Sequence, residues 1–170
     1  MQLLYATKTE YTLEEYQKFN RTVQYEVNHL NWTMGIMMAL LCLLAYFQED
    51  FIFVALAFLV PVIFPLVLGF QSKKAYQSNR SVQGTTTYSR FYEDHFETTS
   101  SIGISRFQYE DIFQILETRT NFYILLAKNQ GIIIVKAGCE PGLMDLLKKQ
   151  KEESAGRRKK GKQRQEKTHG

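Results

Sequence analysis

Seventeen Asp/Glu, three His and two Cys are the side chains with which this chain could hold a metal or move a proton. Their spacing assembles no site. His29, His95 and His169 stand apart from one another, and neither HExxH nor CxxC occurs. Zinc is held by four ligands, drawn from motifs of that kind. The densest acidic group is Glu93, Asp94 and Glu97, and it falls at an expected hairpin tip. Calcium wants six or more oxygens converging on one ion, so these three read as a solvated tip. No GxGxxG, Walker or GxSxG pattern is present, which leaves phosphate cradling and an activated serine without their frames. Cys42 and Cys139 read as two apolar fillers in a reducing compartment. The expectation is a protein without enzymatic activity, cofactor or metal.

The distribution of apolar and charged residues says more. A mean hydropathy of −0.26 averages over segments that differ sharply. Residues 33–47 and 51–70 carry no charge, whereas residues 148–170 carry ten Lys/Arg against three Asp/Glu. The net charge of +4 therefore comes from the C-terminal end. Leu30–Gln48 and Phe51–Phe70 are each long enough, at 1.5 Å per residue, to cross a hydrocarbon core of about 30 Å as helices. Only Glu49 and Asp50 separate them, which predicts an antiparallel hairpin. Lys18, Arg21, Lys73, Lys74 and Arg80 flank the pair, and the link carries acids alone. The positive-inside rule then places both termini in the cytoplasm. The N-terminus does not read as a secretory signal, because about thirty mixed residues precede the first apolar run. The expected location is the cell membrane, with two passes.

Small residues recur along both runs. Ala57, Pro61, Pro65 and Gly69 make a row at spacing four, and Gly35 and Ala39 a shorter one. Such rows allow close helix–helix approach in lipid, and the expectation is that they face each other. No ionisable residue interrupts either run, which argues against a proton or ion pathway. Lys73, Lys74, Arg157, Arg158, Lys159, Lys160, Lys162 and Arg164 are candidate contacts for anionic lipid headgroups. The end of the chain has no aromatic residue for base stacking, so no specific nucleic acid is expected.

The remaining segments alternate or run apolar over short lengths. Leu3–Thr9 reads as a strand. Thr12-Leu-Glu-Glu15 fits a capping box, followed at helical spacing by Tyr16, Phe19, Val23 and Val27. Thr85–Tyr92, Phe96–Ser100, Ile102–Tyr109, Ile112–Thr118, Phe122–Ala127 and Gly131–Lys136 read as strands, with Asp94-His95 as a hairpin turn. Pro141-Gly142 opens a helix bearing Leu143, Leu146 and Leu147. The fold class is α+β: a transmembrane helical hairpin with a small antiparallel-sheet domain closed by a C-terminal helix. The predicted division is an N-terminal strand and helix over 1–29, the hairpin over 30–70, the sheet domain over 71–150 and a disordered basic tail over 151–170.

Several of these residues also form a pattern. Phe91-Tyr-Glu-Asp94, Tyr109–Ile112, Glu117-Thr118 with Phe122–Ile124, and Asn129–Lys136 occur in that order, after Tyr11–Tyr16 and Phe19-Asn20. The chain resembles the YcxB-like family of bacterial membrane proteins in these motifs. It departs at His95, where members often carry Gly. The resemblance implies a two-helix anchor and a cytoplasmic domain similar to the pleckstrin-homology fold. It brings no activity and no catalytic residues. The functional expectation is a non-enzymatic module that presents a regulatory or interaction domain at the membrane surface. Its expected partners are the lipid bilayer, anionic headgroups and a protein. The rivals are an accessory subunit of a transporter complex and a small membrane enzyme.

Overall fold

The computed structural model describes residues 2–48, 51–79 and 83–168, with side chains to residue 158. It divides into two compact units, one of residues 1–15 with 81–170 and one of residues 16–80.

Among the described residues the first unit holds seven strands. β1 (Leu3–Glu10), β2 (Thr86–Tyr92), β3 (His95–Ser100) and β4 (Gly103–Gln108) form one antiparallel sheet in that order. β5 (Gln114–Glu117), β6 (Asn121–Ala127) and β7 (Gln130–Val135) form a second. Two antiparallel sheets and a closing helix make this unit α+β. The expected small sheet domain is thus built of two sheets, and β1, read from the sequence as part of a separate N-terminal segment, belongs to it although about 75 residues separate Glu10 from Thr86 of its partner β2. Its register runs from Leu3 opposite Tyr92 to Glu10 opposite Thr86. Alternation explains the fit. Thr7 and Thr9 point inward and are buried, while Ala6, Lys8 and Glu10 are exposed.

Those inward hydroxyls also tie the two sheets together. Thr7 Oγ1 donates to the Gly138 carbonyl at 3.0 Å. Thr9 Oγ1 accepts the Val135 N–H at 3.4 Å, and the Tyr11 hydroxyl accepts the Ile133 N–H at 3.1 Å. Burial holds the Tyr11 hydroxyl above the usual tyrosine range. Backbone donors at the edge of β7 are thereby satisfied without a continuous ladder.

The core lies between the sheets and α4 (Pro141–Thr168). Phe91, Phe96, Ile115, Phe122, Ile124, Ile134, Leu143 and Leu147 are essentially inaccessible. Burial of such a side chain is worth about 1.5–3 kcal/mol. β6 is the middle strand of its sheet, and its first five residues are all buried, so its sequence runs apolar instead of alternating. Phe96 anchors an aromatic cluster, with ring centroids 5.7 Å from Phe91 and 5.3 Å from Phe107.

Two expectations need correction here. The β2–β3 turn is Glu93-Asp94, set by Phe91 opposite Phe96, and His95 opens β3. Neither turn residue nor His95 has positive φ, so the position of His95 makes no demand for Gly. Second, the segment from residue 151 is helical: α4 continues unbroken to Thr168. Gln150 and Ser154 are buried on the same face as Leu143 and Leu147, which holds the helix against the domain well past its last leucine.

The second unit contains α1 (Leu13–Glu26, whose first three residues fall in the other unit), α2 (Leu30–Gln48) and α3 (Phe51–Ser78). Thr12 caps α1, its Oγ1 accepting the Glu15 N–H at 3.2 Å. The Glu15 carboxylate accepts from Asn121 Nδ2. His29, with φ of 50°, makes the corner between α1 and α2. α2 and α3 pack against each other. α3 contains Pro61 and Pro65, a tolerated insertion where a neighbouring helix supports the chain.

Candidate membrane interface

α2 and α3 leave nearly all their apolar surface open. In the most apolar window of each, only 6% of residues are buried. Trp32, Tyr46, Phe47, Phe51, Phe58 and Phe70 are each at least 70% exposed. A core helix of a water-soluble domain would be covered; these two are not, and no charge lies between Thr33 and Phe47 or between Phe51 and Phe70. Water meets such a surface at a cost of about 25 cal/mol per Å², whereas hydrocarbon meets it at none. A helix also satisfies its own backbone, as lipid requires. The amphipathic aromatics stand at the two ends of α2, Trp32 at its start and Tyr46 near its finish. That is where amphipathic rings settle in a bilayer.

Of the two expected rows of small residues, the one on α3 is covered in part and the one on α2 is exposed. The covered or half-covered positions of the apolar runs are Leu30, Met34, Met38, Leu41 and Ala45 on α2, and Phe53, Ala57, Val60, Pro61, Phe64, Leu68 and Gly69 on α3. Ala57, 1% exposed, is the one small residue held tightly. Gly35 and Ala39 are exposed, as is Pro65, and a Cβ added at Gly35 or Gly69 meets nothing within 4 Å. The half-covered α2 positions are largely Met and Leu, flexible side chains that fill irregular space.

The candidate headgroup cations divide three ways. Lys73 and Lys74 are exposed one turn beyond the apolar run of α3. Arg157 and Arg158 are engaged within the domain. Arg157 donates to the Tyr109 carbonyl at 2.8 Å; Arg158 donates to Gln114 and lies 4.6 Å over the Phe113 ring. Lys159, Lys160, Lys162 and Arg164 continue α4, and their side chains lie outside the described residues, as do Glu49, Asp50 and His169.

In the domain, three carboxylates, Asp94, Glu97 and Glu117, stand in ion pairs. Arg106 binds Glu97 at 2.6 Å and holds its carboxyl below the usual range. His95 Nδ1 lies 2.6 Å from Asp94, whose carboxyl the contact depresses. His95 is buried under the Tyr92 ring, with centroids 4.6 Å apart and nearly parallel. Its Nε2 is 3.7 Å from Glu97. The histidine therefore closes a structural network instead of standing in a turn. Glu117 accepts from Lys136 at 2.8 Å and from Lys151 at 3.0 Å, and its carboxyl is held low, first by Lys136. Burial pushes the Tyr109 hydroxyl up to about 12 and the Cys139 thiol above its usual range. Among the described residues no group of three His, Cys, Asp or Glu converges as metal ligands do.

One surface of the domain escaped the sequence reading. Beyond α2 and α3, the large apolar side chains exposed among the described residues are Leu3, Leu4, Tyr88, Ile102 and Ile104. Tyr88, Thr99 and Ile104 face one another across β2, β3 and β4. Ile102, 71% exposed, forms the β3–β4 turn with Ser101 before Gly103, whose φ is 148°. β4 pairs with β3 alone and is otherwise open, its only half-buried residue being Phe107. The readable signal was the pair of isoleucines bracketing Gly103.

A lipid-facing helical pair together with a two-sheet α+β domain defines the class: a membrane protein carrying a small antiparallel-sheet domain. Within it, residues 91–150, from the end of β2 to Gln150 of α4, match the model of the YcxB-like protein family. The match leaves α2, α3 and the basic end outside it. No curated protein and no solved structure matches the chain.

Proposed function

We propose that the protein is a two-pass component of the cell membrane, with both termini cytoplasmic, that displays its YcxB-like domain to a protein partner and catalyses no reaction. The observation that carries the reading is the open edge at β4. An edge strand with exposed isoleucines is a template for another chain, and soluble proteins ordinarily blunt it with Lys, Pro or a covering element. Here Ile102 and Ile104 stand 71% and 69% exposed beside it. A partner strand adding to β4 gains main-chain hydrogen bonds, and the row Tyr88–Ile104 supplies the side-chain contact. The ion-paired state of Asp94, Glu97 and Glu117 supports the absence of catalysis, because each carboxylate already serves a structural partner. Lys73 and Lys74 at the end of the apolar run support a contact with anionic headgroups.

Photocrosslinking in native membranes tests the reading. A photoreactive residue at Ile104 should trap one defined protein, and Ile102→Lys with Ile104→Lys should abolish the product while leaving the chain in the membrane. Crosslinks to lipid alone, or none, would remove the interaction role. For orientation, a cysteine replacing Asp50 in a Cys42→Ser, Cys139→Ser background should react with an impermeant maleimide on intact cells. One replacing Ser101 should react only after lysis; the reverse pattern would invert the topology.

A further inference from the structure

α1 and α3 enclose a cavity of about 300 Å³ at the point where α3 passes from Phe70 to Gln71. Its two ends differ in chemistry. Pro65, Leu68 and Gly69 belong to the apolar run, while Gln71, Ser72 and the facing Arg21 of α1 are polar. Arg21 is the one charged side chain among the twelve that line it. No described carboxylate pairs with Arg21, which stands exposed on α1. A guanidinium presents a planar fork of donors that fits two phosphate oxygens. The walls are held in place: Gln17 Nε2 donates to the Gly69 carbonyl at 3.3 Å, and the Tyr16 and Tyr76 rings lie 5.6 Å apart. Gly69 also supplies room, since a Cβ there meets nothing within 4 Å.

We propose that this cavity is a binding site for the phosphodiester headgroup of an anionic glycerophospholipid. The occupant has to be half polar and half apolar, because the cavity straddles the boundary of the lipid-facing run. The volume is at the small end for ligand sites; it accommodates a phosphate and glycerol, and leaves the acyl chains to run down the open surface past Leu68 and Pro65. The charge selects the headgroup. One arginine neutralises one phosphate, and no Asp or Glu lines the cavity to meet the ammonium of a zwitterionic lipid. The proposal rests on α3 being a membrane span and assigns the lipid that its cytoplasmic end holds.

Native mass spectrometry of the detergent-purified full chain tests it, with phosphatidylglycerol, phosphatidylcholine and glycerol 3-phosphate as probes. The wild type should retain one phosphatidylglycerol and bind it about tenfold more tightly than phosphatidylcholine. Arg21→Gln should weaken retention about tenfold, the effect of one lost charge-assisted bond. Gly69→Leu should abolish it by filling the space, and glycerol 3-phosphate should not displace the lipid. Equal retention by both variants, no adduct, or displacement by glycerol 3-phosphate would overturn the site. Should Gly69→Leu fail to fold, Arg21→Gln decides, since an exposed helical position tolerates glutamine. Carbonate extraction separates the two readings. Release of the wild type would refute the membrane span itself, whereas a resistant wild type that holds no lipid would refute the site alone.

Discussion

Glu117 shows how a single side chain is put to work in this domain. It sits at the end of β5, and its two carboxylate oxygens accept from Lys136, just beyond β7, and Lys151 on α4. Lys136 also lies 4.5 Å over the Phe122 ring. One carboxylate thereby joins the second sheet to the closing helix. Its folded proton affinity is lowered by these lysines. The folded state consequently binds fewer protons than the unfolded chain as pH drops below about 4.3, the ordinary glutamate value. Stability is fully present above that value and is lost as pH falls through the depressed one. Glu117→Gln should flatten this acid limb and cost about 1 kcal/mol or less at neutral pH, because Lys151 is 42% exposed and water screens the pair. Urea unfolding in detergent at pH 7 and at a series of pH values from about 4.3 downward measures both. Of this arrangement the sequence offered little. A glutamate in a strand and two lysines 19 and 34 positions away carry no signature of contact. His95 was hidden for a related reason: three polar residues in a row mark a turn, but only register decides which two of them make it.

Elements were more legible than contacts. The lengths of α2 and α3 follow from runs without charge, and the strands follow from β-branched and aromatic clusters between polar breaks. The way α2 meets α3 did not follow, because a row of small residues fits a close seam and also fits a smooth lipid face. The structure puts Ala57 inside and Gly35 and Ala39 outside. Ala57→Leu should therefore separate the helices and destabilise the pair by about 1–3 kcal/mol, the usual range for overpacking. Gly35→Leu and Ala39→Leu should be neutral or slightly stabilising, since leucine is the better helix former. Thermal denaturation in detergent ranks the three; a Gly35→Leu defect as large as that of Ala57→Leu would restore the small-residue seam. α4 makes the same point about composition. Its second half is Lys-, Arg- and Gln-rich, which reads as solvated chain, yet these are also strong helix formers. Leu143, Leu147, Gln150 and Ser154 are buried at spacings of four, three and four. Truncation after Gln150 removes Lys151, Ser154, Arg157 and Arg158 and should lower domain stability by about 2–4 kcal/mol, the sum of several ordinary contacts. Truncation after Lys160 should leave the melting temperature almost unchanged. If both truncations behave alike, the helix beyond residue 150 adds nothing to the fold.

At the scale of the whole molecule, every reading depends on where the open apolar surface lies, and the chain carries its own probe of that. Trp32 is the single tryptophan, it is 73% exposed, and it opens the apolar stretch of α2. An indole is drawn to the headgroup level, where its ring stays among methylenes and its N–H reaches water. α2 runs 16 residues further, from Trp32 to Gln48, and at 1.5 Å per residue that distance nearly spans the hydrocarbon. Trp32 must accordingly sit near one face of the bilayer and not at its middle. In reconstituted vesicles its emission should be blue-shifted relative to the urea-unfolded chain. Nitroxide lipids labelled near the headgroup should quench it several-fold more strongly than lipids labelled near the acyl terminus, and aqueous iodide should quench it weakly. Moving the probe tests the geometry as well as the location. In Trp32→Phe with Met38→Trp, about 9 Å deeper along the helix, the preference should shift towards the deep label. If both positions favoured the shallow label equally, α2 would lie along the surface, and the two-pass arrangement would give way to an interfacial one. Strong iodide quenching with no lipid quenching at either position would place these helices in water, against every exposed ring from Trp32 to Phe70.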